Sequence, residues 1–311
     1  EGSDSLGSNG TDDSDVRDGS VDGKDGRYSS ELELTDFEVL QMVGSGGFGT
    51  VWKARSLRTG VIVALKSQRR PDELIPAAGS ASSTEPTANT APISSGEWWA
   101  RLKQERDLCF AIKDHPFVVQ LLGSFHSTTQ VFLVFDFVDG MNLRDLQISL
   151  GRGRGEGRLA VETARFVSAE IALALTHVHS HGVIYRDLKP ENIVVSAIHG
   201  HVKLVDFGLA LYECPDIQLK KDPRYAVEGN VEYISPQVLD GELPKREDDW
   251  WSFGCLLFEI SFGKSPFYES GDIAATNKRI ADVHIHEIDP AAEGPRGTLM
   301  LHSAQNAAHV T

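Results

Sequence analysis

Apolar and polar side chains begin to alternate at Phe37-Glu38-Val39-Leu40, and the alternation resumes at Thr50-Val51-Trp52-Lys53-Ala54 after a glycine-rich stretch over 44–49. A period of two marks half-buried strands, and glycines between two such runs fold one back on the other, so a hairpin with a glycine-rich tip is predicted. Val61-Ile62-Val63-Ala64-Leu65-Lys66 reads as the next strand. Residues 69–96, rich in Ser, Thr, Ala and Pro, carry no period and are expected to form a disordered insertion. Helical spacing returns with Trp98, Leu102, Glu105, Leu108, Cys109 and Ile112 and stops before His115-Pro116. Val118 to Leu122 and Val131 to Phe135 are predicted as two further strands. Beyond Gly140 the pattern is mostly helical, interrupted at Gly151-Arg152-Gly153-Arg154-Gly155, with one helix over about 161–180. Strands with one helix, then mainly helices, predict an α+β chain of two lobes, a small one over 37–138 and a large one over 139–290.

Composition adds ends and exclusions. Residues 1–36 hold eleven Asp/Glu against three Lys/Arg, so net −8 of the chain's −15 lies there. With almost no large apolar side chains, this acidic segment is expected to be disordered, as is the tail over 291–311. The acidic balance argues against a nucleic-acid partner. Three scattered cysteines (Cys109, Cys214 and Cys255) form no metal-ligand spacing and suit a reducing cytoplasmic or nuclear setting. The longest apolar run, Trp250 to Phe262, is too short to span a membrane and contains Glu259. No leader sequence is visible, although the chain opens on Glu1 and not on Met.

The chemistry concentrates in Tyr185-Arg186-Asp187-Leu188-Lys189-Pro190-Glu191-Asn192, with Asp206-Phe207-Gly208 beginning fourteen residues beyond Asn192. A carboxylate, a lysine and an amide on one short loop, with a second carboxylate downstream, are the parts that phosphoryl transfer requires: a proton acceptor, charge neutralisation and oxygen ligands for magnesium. By itself the run also reads as a polar loop after a helix. Gly44-Ser45-Gly46-Gly47-Phe48-Gly49 would let backbone amides approach phosphate oxygens with no Cβ in the way. Alone it reads equally as a tight hairpin turn or a dinucleotide fingerprint, but the latter needs a following helix and a strand pattern follows here. Lys66 in isolation would be a solvated surface lysine. In series with the glycines it becomes an ammonium gripping phosphates, with Glu105 on the predicted helix as its partner and Glu97 as the competitor.

Taken together, these segments resemble the protein kinases. The resemblance implies a two-lobed kinase fold with a five-stranded antiparallel sheet, ATP and Mg2+ as cofactors, and protein hydroxyl groups as acceptors. Asp187 would be the catalytic base and Lys189 would neutralise the transferred group. Lys66 and Glu105 would complete the catalytic set, and Asn192 and Asp206 would hold magnesium. Val43, Gly44, Ser45, Gly46, Gly47, Phe48 and Gly49 would cover the nucleotide. Val51, Ala64 and Val194 would enclose the adenine, met by backbone from Asp136 to Val138 beyond a gatekeeper Phe135. Tyr185 before Arg-Asp, Gly229-Asn230-Val231-Glu232-Tyr233-Ile234-Ser235-Pro236 and Asp249-Trp250-Trp251-Ser252-Phe253-Gly254 are similar to the AGC group of serine/threonine kinases. In that group Glu191 and Glu259 match acidic positions favouring a basic residue upstream of the target site, while Asn142 stands where some relatives have Glu. Cys109, Leu121, Tyr185, Phe207 and Asp249 would stack as a spine.

Four positions depart from the group's pattern. Ala226 stands at the activation-loop threonine, leaving Arg186 without a phosphate to clamp. Asn230 replaces a threonine that bonds the catalytic Asp and Lys. Gln237 replaces a glutamate that pairs with a late arginine. After Ile288-Asp289-Pro290 no apolar face remains for the expected final helices, so the large lobe is expected to be partial, most simply through a shortened gene model. These departures motivate the alternative of a nucleotide-binding scaffold without turnover.

Overall fold

The computed structural model describes residues 32–46, 49–71, 95–151, 157–213, 229–268 and 272–282. They fall into two compact units, Glu1–Asp139 and Gly140–Thr311.

The first unit is a five-stranded antiparallel sheet in the order β1-β2-β3-β5-β4, with one helix. Its strands are β1 (Phe37–Gly46), β2 (Gly49–Ser56), β3 (Ile62–Arg69), β4 (Leu121–His126) and β5 (Gln130–Asp136), and its helix is α1 (Ser95–Ala111). Alternation decides the faces. Phe37, Ala54, Val63, Leu65, Phe125, Phe132 and Val134 form one apolar cluster, in which Phe125 stacks on both Phe37 and Phe132 with ring centroids 5.6 and 4.7 Å apart. Leu32 packs against this cluster, and 34–36 form a 3-10 turn in which the Asp36 side chain accepts the Glu33 N–H at 2.8 Å and the Arg58 guanidinium at 2.6 Å.

The fourth strand lies three residues later than its apolar run predicts. Val118 and Val119 are buried outside the five strands, on a connector where the Asp136 side chain takes the Gln120 N–H at 2.6 Å and the Asp136 N–H donates to Gln120 O at 3.0 Å. A buried connector thus carries the same apolar signature as a strand. Strand β3 continues through Arg69 and α1 starts at Ser95, both inside the expected insertion, whose residues 72–94 lie outside the described ones.

The second unit carries α2 (Leu143–Gly151), α3 (Val161–Ser180), α4 (Pro236–Leu239), α5 (Arg246–Phe262) and α6 (Ile273–Ala281). Between them run β6 (Gly140–Asn142), β7 (Val183–Ile184), β8 (Ile193–Ser196), β9 (Val202–Leu204) and β10 (Leu211–Tyr212), joined as a β6-β8-β9 sheet and a β7–β10 pair. Helix α3 occupies the predicted span and buries Ala164, Val167, Ile171, Ala174, Leu175 and Val178, a stripe at helical period that packs on α5. Glu170 is buried at the edge of that stripe. Its carboxylate accepts His201 Nδ1 at 2.5 Å and the Val202 N–H at 2.9 Å, tying β9 to α3. Among the described residues no helix is long and apolar enough to cross a membrane. Cys109 and Cys255 are buried, and burial pushes the Cys255 thiol up to about 12.

The glycines at the β1–β2 tip separate into two kinds. A Cβ on Gly49, at φ +110°, would lie 2.1 Å from the Ser67 carbonyl oxygen, whereas one on Gly44 or Gly46 would meet nothing within 4 Å. Gly49→Ala is therefore expected to cost about 3 kcal/mol through strain and overlap, and Gly44→Ala less than about 1 kcal/mol. Urea midpoints of the two variants check this.

Candidate active site

Lys66 lies on β3 with Ala64, and the register sets Val51 of β2 opposite Lys66 and Phe135 of β5 opposite Ala64. By the two-residue period these side chains share the face opposite the apolar cluster. Helix α1 turns Leu102, Glu105, Leu108 and Cys109 inward, so Glu105 arrives buried over that face. Lys66 Nζ meets Glu105 Oε1 at 2.6 Å, with both side chains at most 6% exposed. Gln68 Nε2 donates to the second carboxylate oxygen at 3.3 Å. Such a pair is costly to break, because either charge alone would be left desolvated. Glu97, eight residues earlier and about 12 Å along the helix, is exposed. The helical period therefore settles which carboxylate meets the lysine.

Val43, Ser45 and Gly46 are exposed along β1, and Gly44 is half-buried. Gly47 and Phe48 lie outside the described residues. Since protein packing does not exclude a Cβ at Gly44 or Gly46, their bareness suits a group approaching from outside, as a phosphate would. At the end of β5 the Asp136 N–H is engaged by Gln120 O. The backbone of Val138 makes no hydrogen bond among the described residues and so can meet a ligand edge.

In the second unit the loop from Tyr185 follows β7 and is held from below by α5. Asp249, 1% exposed, accepts the Tyr185 N–H at 2.8 Å, the Arg186 N–H at 2.7 Å and His179 Nε2 at 2.7 Å. This carboxylate fixes a backbone that would otherwise resist its shape, for Arg186 sits at φ 67°, a left-handed conformation disfavoured for a residue with a Cβ. The Tyr185 hydroxyl donates to Val205 O at 2.5 Å, and its ring meets Phe207 edge-on with centroids 5.0 Å apart.

These anchors deliver Asp187, Lys189 and Asn192 to one point. Lys189 Nζ donates to both Asp187 carboxylate oxygens, at 2.8 and 2.7 Å. Asn192 Nδ2 donates to the Asp187 backbone oxygen at 2.9 Å and to its Oδ2 at 2.7 Å. Burial pushes the Asp187 carboxyl above its ordinary range; Lys189 and Asn192 oppose that shift, and the negative charge of Asp206 adds to it. Asp206 takes φ 56°, and its Oδ1 accepts the Gly208 N–H at 3.2 Å. With its nitrogen engaged by Asp187, the Asn192 amide has its oxygen left as a ligand atom. One carboxylate and one amide oxygen suit magnesium that arrives with phosphates and keeps its waters. No cluster of three His, Cys, Asp or Glu among the described residues would cage a metal permanently.

Val194 lies on β8, half-buried between Asn142 and Lys203 in the ladder. Asn230 accepts the Glu232 N–H at 3.3 Å and makes no bond to Asp187 or Lys189. Gln237 is exposed on α4, and Ala226 lies outside the described residues. Two positioning residues escape a reading of the chain alone. His179 is an ordinary member of the α3 pattern, and Asp249 is legible only as part of a motif, not as the acceptor of two loop amides.

A family model described as protein kinase domain matches residues 37–305. The chain is 35% identical over 242 residues to "cAMP-dependent protein kinase type 3" of Saccharomyces cerevisiae, covering 78% of this chain and 52% of that one. It is 36% identical over 243 residues to "Serine/threonine-protein kinase AtPK2/AtPK19" of Arabidopsis thaliana, covering 78% and 44%. It is 35% identical over 242 residues to "Ribosomal protein S6 kinase alpha-1" of Homo sapiens, covering 77% and 28%. The chain thus spans about half the length, or less, of these relatives.

Replacing Asp249 by Asn would set an amide N–H2 against two backbone donors and His179. The expected cost is about 2–4 kcal/mol of stability, seen as a lower urea midpoint, with slower hydrogen exchange at the Tyr185 and Arg186 amides lost in the variant.

Proposed function

The chain belongs to the protein kinase family, in its AGC-type serine/threonine branch, and we propose that it transfers the γ-phosphate of MgATP to serine or threonine hydroxyls of proteins. The observation that carries this reading is the convergence of Lys189 and Asn192 on the buried Asp187 carboxylate. Asp187 accepts the proton of the acceptor hydroxyl while that oxygen bonds to the γ-phosphorus and the bridging oxygen leaves with ADP. Burial favours this role, because a carboxylate held above its ordinary range takes up a proton more readily. Lys189 would share its charge between Asp187 and the group in transit. Lys66, fixed by Glu105, offers an ammonium to the remaining phosphates, and the open glycines of β1 offer amides. Asp206 and the Asn192 amide oxygen would hold magnesium, which supplies charge neutralisation on the phosphates.

One observation favours a second reading, a nucleotide-binding scaffold without turnover. The Asn230 side chain caps its own turn and leaves Asp187 and Lys189 unsupported from that side.

The test is phosphate transfer from MgATP to a serine peptide library by the purified chain. Asp187→Asn is expected to lose transfer by about 10³-fold while keeping its ATP-induced rise in Tm. Lys66→Met is expected to lose both, and to destabilise the fold by burying the Glu105 charge without its ammonium. Transfer that persists in Asp187→Asn, or none from the wild-type chain despite an ATP-induced rise in Tm, would overturn the enzyme reading, the latter in favour of the scaffold.

A further inference from the structure

Arg144, the second residue of α2, makes contacts that the catalytic reading leaves unused. Its Nε donates to Glu191 Oε1 at 3.0 Å, its Nη1 to the Glu259 carboxylate, and its Nη2 to the Tyr233 hydroxyl at 3.2 Å. Tyr233 in turn donates to the other Glu259 oxygen. Both oxygens of Glu259, a residue 1% exposed on α5, are therefore consumed inside the protein. A guanidinium spread over two carboxylates by separate nitrogens is a directional arrangement that a lysine could not copy. Asn142, just before α2, is occupied as well: its oxygen accepts the Asp145 N–H at 2.8 Å and its nitrogen donates to Asp145 Oδ2 at 2.9 Å.

The position of this cluster gives it a consequence for substrates. Glu191 lies four residues after Asp187 on the same loop, so it can lie no farther than about 14 Å along the chain. An extended peptide with its hydroxyl at Asp187 covers that distance in about four residues. A carboxylate at that range would draw a cationic side chain, but here Glu191 already bonds a cation supplied by the protein.

Resting on the kinase reading above, we propose that Arg144 is a specificity-determining residue: it occupies the Glu191–Glu259 pair as an internal counter-cation and relieves the substrate of any need for a basic residue there. The expectation of basic target sites, raised by Glu191 and Glu259, is thereby reversed for this chain. Arg144 touches neither Asp187 nor Lys189 in any hydrogen bond, so it acts on selection and not on the transfer itself.

Serine peptides carrying Arg, Ala or Glu at each position within five residues of the acceptor test the proposal through ratios of kcat/KM. The wild-type chain is expected to show Arg-to-Ala ratios within about threefold of one at every position. Arg144→Met is expected to raise the ratio at least tenfold at one position, and Arg144→Lys to stay nearer the wild type. A wild-type ratio already above tenfold that Arg144→Met does not raise would overturn the proposal. Because Arg144→Met strands the buried Glu259, Glu191→Gln serves as a variant that keeps the Arg144–Glu259–Tyr233 bonds. Its ratio is expected to match the wild type within about threefold, whereas a drop of tenfold or more would mean that Glu191 serves a substrate cation after all. Fluorescence anisotropy of the same peptides, read without ATP, reports selection independently of turnover. With no transfer from any peptide the enzyme reading fails, and the binding ratios alone decide the role of Arg144.

Discussion

The geometry of the second unit depends on one desolvated carboxylate. Asp249 reaches up from α5 and takes two consecutive loop amides and a histidine. No apolar contact could hold a backbone at φ 67°, since packing is non-directional and the strain of a left-handed arginine is local. Charged hydrogen bonds with fixed direction can. Once Tyr185 and Arg186 are pinned, the chain has little choice over Asp187, whose carboxylate then gathers Lys189 and Asn192. The order of causes runs from helix to loop backbone to reactive side chain.

The first unit solves a comparable problem by other means. Its sheet buries one face in a stacked aromatic cluster and gives the other to Lys66, so the lysine can be desolvated only because α1 brings a matching carboxylate. Gly49 is required by the protein itself, because the Ser67 carbonyl fills the space of a side chain. Gly44 and Gly46 are not, which separates the fold's demand for glycine from the site's.

Much of this was legible in the sequence, because the period of two and the period of 3.6 are direct records of burial. The Val161–Ser180 helix, the number of strands in the first unit and the inward turn of Glu105 all follow from spacing. The fourth strand begins later than its apolar run predicts, since Val118 and Val119 are buried on a connector, which leaves the same apolar trace. The loop's reactive residues announce themselves by type and spacing, whereas their supports do not. Asp249, His179 and Arg144 are distant in sequence from what they hold, and nothing in a single chain records which amide or carboxylate a given side chain will reach. Asn142 and Asn230 show the same limit from the other side, as each spends its amide on a local cap.

The pairing of Lys66 with Glu105 also bears on how the chain can vary. Arg69 closes one element and Ser95 opens the other, so the two elements are joined through 25 intervening residues. The entropy of closing a chain segment grows with the logarithm of its length, so closing one of that length costs only about 1.2 kcal/mol more than closing one a quarter as long. The ion pair is positioned by strand register and helix packing, not by the link. The placement of the lysine is therefore expected to tolerate changes in the length of that connection.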